Sequence, residues 1–133
     1  MLHKLLLVGL AALMSLTMGI ARPEQKLFHM HNDVRAAYLV QPLHANEVLF
    51  PLAEHQARRM AHQGRLFHGL YPVCPGGWGQ NVGVGPSVFD VFQGFMASRD
   101  HRRNILNPNF HWVGIGVVID QAGNRWVVVD FCR

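Results

Sequence analysis

From Ser98 to Gly116 the chain reads SRDHRRNILNPNFHWVGIG, which sets His101 among Arg99, Arg102 and Arg103. An imidazole can ligate a metal or move a proton, and guanidinium groups only donate. Ser98 reads as a polar start to a short helical turn, with Ile105 and Leu106 as its apolar pair. Asn107-Pro108-Asn109 closes that turn, because the residue before a proline is pushed out of the helical region. Trp112 to Ile119 then reads as a buried strand. His101 is thereby mounted on a turn pinned to the core. A second histidine, His68, lies between Phe67 and Gly69 just past a helix end, where it is expected to be semi-buried. Taken singly, it reads as a satisfied core histidine before it reads as a functional group. His29-x-His31 is not a metal pair, since residues two apart do not share a helix face. His31, one turn before Arg35, has room to face a groove.

Elements must hold these groups in place. Pro23 to Leu39 is expected as a first helix, with Leu27, Met30, Val34, Ala37 and Tyr38 on its inward face. Val40 to Glu47, with Pro42, reads as a connection. A second helix runs from about Glu47 or Pro51 to Gln63, with Leu49, Leu52, Ala53, Ala57, Met60 and Ala61 inward, and Gly64 stops it. The alanines at 53, 57 and 61 allow another element to approach closely. Residues 71–86 are rich in Gly and Pro and read as an irregular loop, within which Gly79 to Val82 forms a short edge strand. Ser87-x-x-Asp90 is a capping box opening a third helix on Val88, Val91, Phe92, Phe95 and Met96. Trp112–Ile119 and Arg125–Phe131 form a hairpin across Asp120 to Asn124. The fold class is α+β, a three-layer α-β-α sandwich with a small central antiparallel sheet.

Residues 1–21 have the marks of a cleaved secretory signal peptide: Lys4, an apolar run from Leu5 to Leu16, and the small-residue site Gly19-Ile20-Ala21. Residues 22–133 then make a single domain with no membrane span, secreted to a periplasm or beyond the cell. The whole chain carries 12 basic and 8 acidic side chains, a net charge of +4. No basic stripe with interleaved aromatics occurs, which argues against a nucleic-acid partner. In an oxidising compartment Cys74 and Cys132 default to a disulfide, closing a loop of about 60 residues and contributing about 4 kcal/mol. Two free buried thiols are the alternative.

Leu66-Phe67-His68, Gly79-Gln80-Asn81-Val82, Phe95-Met96-Ala97-Ser98 with His101 to Leu106, and Val113-Gly114-Ile115-Gly116, in that order, resemble the CAP superfamily. More narrowly, they resemble the bacterial SCP-like branch of these cysteine-rich secretory, antigen 5 and pathogenesis-related proteins. The resemblance covers roughly residues 27–131. It implies an α-β-α sandwich with a cleft into which two histidines and two acidic residues project in many members. The matching positions here are His68, Gln80, Ser98 and His101, with Asn81 beside them.

Two of these depart from the pattern: Gln80 stands where the family usually has Glu, and Ser98 takes the second acidic position. A carboxamide cannot act as a base and brings no charge to hold a cation. His68 and His101 with water would make only a weak Zn²⁺ site, and no cofactor is required. A metal-assisted hydrolase would need Asp100 or Glu54 as a substitute base, and Asp100, adjacent to His101, is expected to point elsewhere. The favoured reading is a non-catalytic binding module for a lipid, another small amphipathic ligand or a cell-surface component. The alternatives are that hydrolase, or a structural domain in which His68, Gln80, Asn81, Ser98 and His101 satisfy one another.

Overall fold

The computed structural model describes residues 22–69 and 74–133. The leader expected over residues 1–21 lies outside them, as do residue 70 and the first residues, 71–73, of the Gly- and Pro-rich region.

Helix α1 (Pro23–Ala37) carries Pro23 in its first turn. It stops short of the expected Leu39, which adopts a left-handed φ of 57°, and Val40 N–H turns back to the Arg35 carbonyl. The inward face differs in part from expectation: Leu27 is buried and Met30 and Val34 pack partly buried against the core, but the fully buried stripe is Leu27, His31 and Arg35, four residues apart, and Ala37 and Tyr38 are exposed. Arg35 can be buried because carbonyl oxygens meet its donors. Its Nε donates to Gln41 O (2.7 Å), Nη1 to Ile105 O (2.8 Å) and Asn107 O (2.9 Å), and Nη2 to Phe110 O (3.0 Å). His31 faces no groove. It is fully buried, its Nδ1–H donates to Leu27 O at 2.7 Å, and its ring lies 5.1 Å from that of Phe92. Burial lowers its pKa to about 4, opposed by the bond to Leu27 and assisted by the charge of Arg35.

The expected connection after α1 contains a two-residue strand, β1 (His44–Ala45). Helix α2 (Leu49–Gln63) follows and ends at Gly64 with φ 64°. Strand β2 (Trp78–Gly85) is longer than the four-residue edge strand expected from the sequence. Ser87 caps α3 (Val88–Ala97), its hydroxyl accepting from Asp90 N–H at 3.1 Å. The turn anticipated after Ser98 is α4 (Arg99–Ile105), and the hairpin is β3 (Trp112–Ile119) with β4 (Arg125–Cys132).

The strands lie in the order β1-β3-β4-β2, so β2 is an edge. β3–β4 and β4–β2 are antiparallel, whereas β1 joins β3 in parallel. The sheet is therefore mixed rather than wholly antiparallel, because β1 arrives through a helix and not a hairpin. Alternation along β4 sends Val127, Val129 and Phe131 into a core with Leu27, Phe92, Phe95 and Ile105. It sends Trp126 and Val128 to the opposite face, against Ala53, Ala57 and Met60 of α2. The result is the α-β-α sandwich expected, with α2 alone on one face. A Cβ on Gly114 or Gly116 would run into the backbone of Leu49 or of Ala53, so glycines on β3 and alanines on α2 together set the close approach. Cys74 and Cys132 form the disulfide, with Cα atoms 5.5 Å apart, tying the end of β4 to the segment before β2.

Candidate ligand-binding cleft

Position along the edge strand β2 decides which groups meet. Gln80 and Asn81 are neighbours in sequence and point to opposite faces of the sheet. Gln80 turns to the α2 face, where its register partner on β4 is Asp130. Asn81 turns to the α4 face, where its Nδ2 donates to His101 O at 3.0 Å and its Oδ1 accepts from Asn104 Nδ2 at 2.9 Å.

On the α2 face a network fixes every amide. Gln80 Nε2 donates to Asp130 Oδ1 (2.7 Å) and to Gln56 Oε1 (2.8 Å). Gln80 Oε1 accepts from Gly69 N–H (3.0 Å) and from Gln56 Nε2 (3.1 Å), and lies 3.0 Å from His68 Nδ1. A carboxylate only accepts and a backbone N–H only donates, so the Gln80 amide has one possible orientation. His68 Nδ1 must then be the donor to Gln80 Oε1. Burial pushes the Asp130 carboxyl above the usual range, opposed by hydrogen bonds from Gln80 and Trp78 and by the charge of His68.

Above this floor is a cavity of about 640 Å³. Its α2 wall is Leu52, His55, Gln56 and Arg59, a helical stripe at spacings of three and four residues. The segment after Gly64 supplies Arg65, Phe67 and His68, and the strands supply Trp78, Gln80 and Asp130. Leu52, expected to point inward, is 43% exposed because it lies on this wall. His68, expected to be semi-buried, is exposed. A second cavity of about 650 Å³ lies between the starts of α1 and α2, beside Phe28 and Phe50.

Of the five residues taken from the resemblance, His68 and Gln80 line the main cavity, while Asn81 and His101 lie around the edge of β2 from it. Ser98 sits at the α3–α4 junction, and its side chain makes no capping hydrogen bond to α4. His101 packs against the Phe95 ring at 5.1 Å. Its pKa is lowered by partial burial, and further by the charge of His68, against the pull of Asp100. Among the described residues no three His, Cys, Asp or Glu side chains group closely enough to hold a metal ion. The two imidazoles offer at most two neutral ligands, a poor fit to a bound Zn²⁺.

Sequence reasoning missed Gln56 and Asp130, and each left a signal. Asp130 is a lone carboxylate in a run that reads as buried on both faces. Gln56 is the one polar side chain along the inward alanine stripe of α2.

A three-layer α-β-α sandwich is the fold of CAP domains. Residues 28–131 match the model of CAP, the cysteine-rich secretory protein family, and the chain belongs to that family. It is 26% identical to the uncharacterized protein YkwD of Bacillus subtilis, over 81% of this chain and 46% of that one. The chain thus spans about half the length of this curated relative. An extracellular SCP-domain protein of Bacillus anthracis superposes with a TM-score of 0.73 at 20% identity, over 84% of this chain and 40% of the other. An outer surface protein of Borrelia burgdorferi gives 0.71 at 15% identity, over 80% and 88%. At these identities the structural matches speak for the fold alone. No helix among the described residues is long and apolar enough to cross a membrane.

Proposed function

We propose that the chain is an exported, single-domain CAP protein, residues 22–133 after removal of a signal peptide, acting as a non-catalytic binding module. The cleft takes a small amphipathic ligand such as a lipid or a cell-wall component. The observation that carries this reading is the composition of the 640 Å³ cavity. Leu52, Phe67 and Trp78 give it apolar walls, and the floor polar groups of Gln56, Gln80 and Asp130 are already engaged with one another. A fixed polar floor under apolar walls orients a ligand and excludes water. The same floor suits catalysis poorly, because Gln80 cannot take a proton and Asp130 is buried and engaged.

The test is thermal denaturation with and without dodecyl amphiphiles, including the neutral dodecyl maltoside, below their micellar concentrations. At about a hundredfold excess over Kd, binding adds about 2.7 kcal/mol of stability. A rise in Tm that is smaller in Leu52→Asn is the expected result. No rise with any amphiphile would overturn the reading.

A further inference from the structure

The second cavity, of about 650 Å³, lies where the sheet runs out of strand. β3 has eight residues and β1 has two, and their pairing ends at Ala45 and Val113. Val113 O also accepts from Asn46 N–H at 3.0 Å, so the main chain of Val113 points away from β4. Main-chain groups alternate along a strand paired in antiparallel fashion, and those of Ile115 and Val117 therefore point the same way. Among the described residues no backbone partner meets them on that side. Asn46 O, next in line for Ile115 N–H, accepts instead from the N–H groups of Leu49 and Phe50. Ile115 is only 1% exposed and Val117 8%, and buried main-chain groups are nearly always paired. This edge asks for a strand.

The surroundings say what kind. Ile115 lies in the cavity with Phe28 of α1 and Phe50 and Pro51 of α2, helices that cover opposite faces of the sheet. A second copy of this sheet, flanked by its own helices, cannot bring its edge between them, whereas a lone extended chain can. Arg22 set against Glu24 and Glu54 gives the lining no single sign, which suits a peptide better than an ionic ligand. We infer that the recess is a peptide site. An extended segment of another polypeptide pairs its main chain with Ile115 and Val117, continues the line of β1, and lays an apolar side chain between Phe28 and Phe50. The site is separate from the main cleft and does not depend on what that cleft binds.

Amide hydrogen exchange read by NMR on the purified protein tests this. The probe is an acetylated, amidated peptide of alternating valine and threonine with a lysine at each end, beside a copy methylated at every backbone nitrogen. With the first peptide near saturation, the N–H groups of Ile115 and Val117 should exchange at least about tenfold more slowly. Those of Gly114 and Gly116, which face β4, should keep their rates, and the methylated copy should slow none of the four. No slowing at Ile115 and Val117 at millimolar peptide overturns the site. Equal slowing by the methylated copy overturns main-chain pairing. Equal slowing by dodecyl maltoside below its micellar concentration overturns the peptide in favour of an apolar ligand.

Discussion

Gln80 and Asp130 face each other across the β2–β4 ladder, and the amide donates to the carboxylate at 2.7 Å. The acid that family resemblance leads one to expect on β2 is absent there, and an acid occupies the facing position on β4. Two carboxylates at this distance could not both ionise, so an amide at 80 and an acid at 130 are mutually consistent.

Substituting Gln80→Glu should therefore cost about 2 kcal/mol near neutral pH, as two acids compete for one proton. Adding Asp130→Asn should recover most of that loss, because the amide placed at position 130 can donate to the carboxylate placed at position 80. Urea unfolding of the single and double variants checks the pair. A neutral effect of Gln80→Glu alone would contradict the coupling.

His31 makes stability acid-sensitive. The unfolded side chain titrates near 6.5 and the folded one near 4, so between those values the unfolded state binds more protons. Stability from this group is complete above the unfolded pKa and is lost as pH falls through the window, by roughly 3 kcal/mol in all. In His31→Leu, unfolding free energy measured across that range should fall less steeply with acid than in the wild type.

Arg35 secures the end of α4 and the turn after it through the carbonyls of Ile105, Asn107 and Phe110. Arg35→Met leaves those oxygens buried without partners and should cost roughly 3–5 kcal/mol. Arg35→Lys should recover only part of this, since one ammonium cannot span the same fork. Chemical denaturation gives both values.

Two glycines make opposite predictions. Gly116→Ala forces a methyl into the Ala53 backbone and should cost about 3 kcal/mol or prevent folding. Gly94, within α3, has nothing within 4 Å of an added Cβ, so Gly94→Ala should stabilise by about 0.5–1 kcal/mol. Calorimetric Tm values decide each.

The fold is largely legible in the sequence because its signals are local. The Ser87 cap, the Gly64 stop and the apolar runs of β3 and β4 each carry their own pattern, and the two cysteines have one possible pairing between them. β1 escapes a sequence reading because two residues have no period, and the stripe of α1 misleads because a buried Arg35 depends on carbonyls some 70 residues away. At the site, His68 and Gln80 come from motif order. The partition of Gln80 and Asn81 onto opposite faces follows from strand alternation, but Gly79 to Val82 alone does not say which face α2 covers. Asp130 and Gln56 enter only through register and helix packing, which no local pattern encodes.

The cleft between α2, Phe67 and Trp78 as the seat of a ligand is the central claim. Amide and side-chain NMR shifts of the nitrogen-labelled protein, followed during titration with dodecanoate, test it most directly. Saturable shifts are expected at Phe67, His68, Gly69, the Trp78 indole N–H and the side-chain amides of Gln56 and Gln80. Shifts confined to the second cavity near Phe28 and Phe50, or none at all, would contradict it.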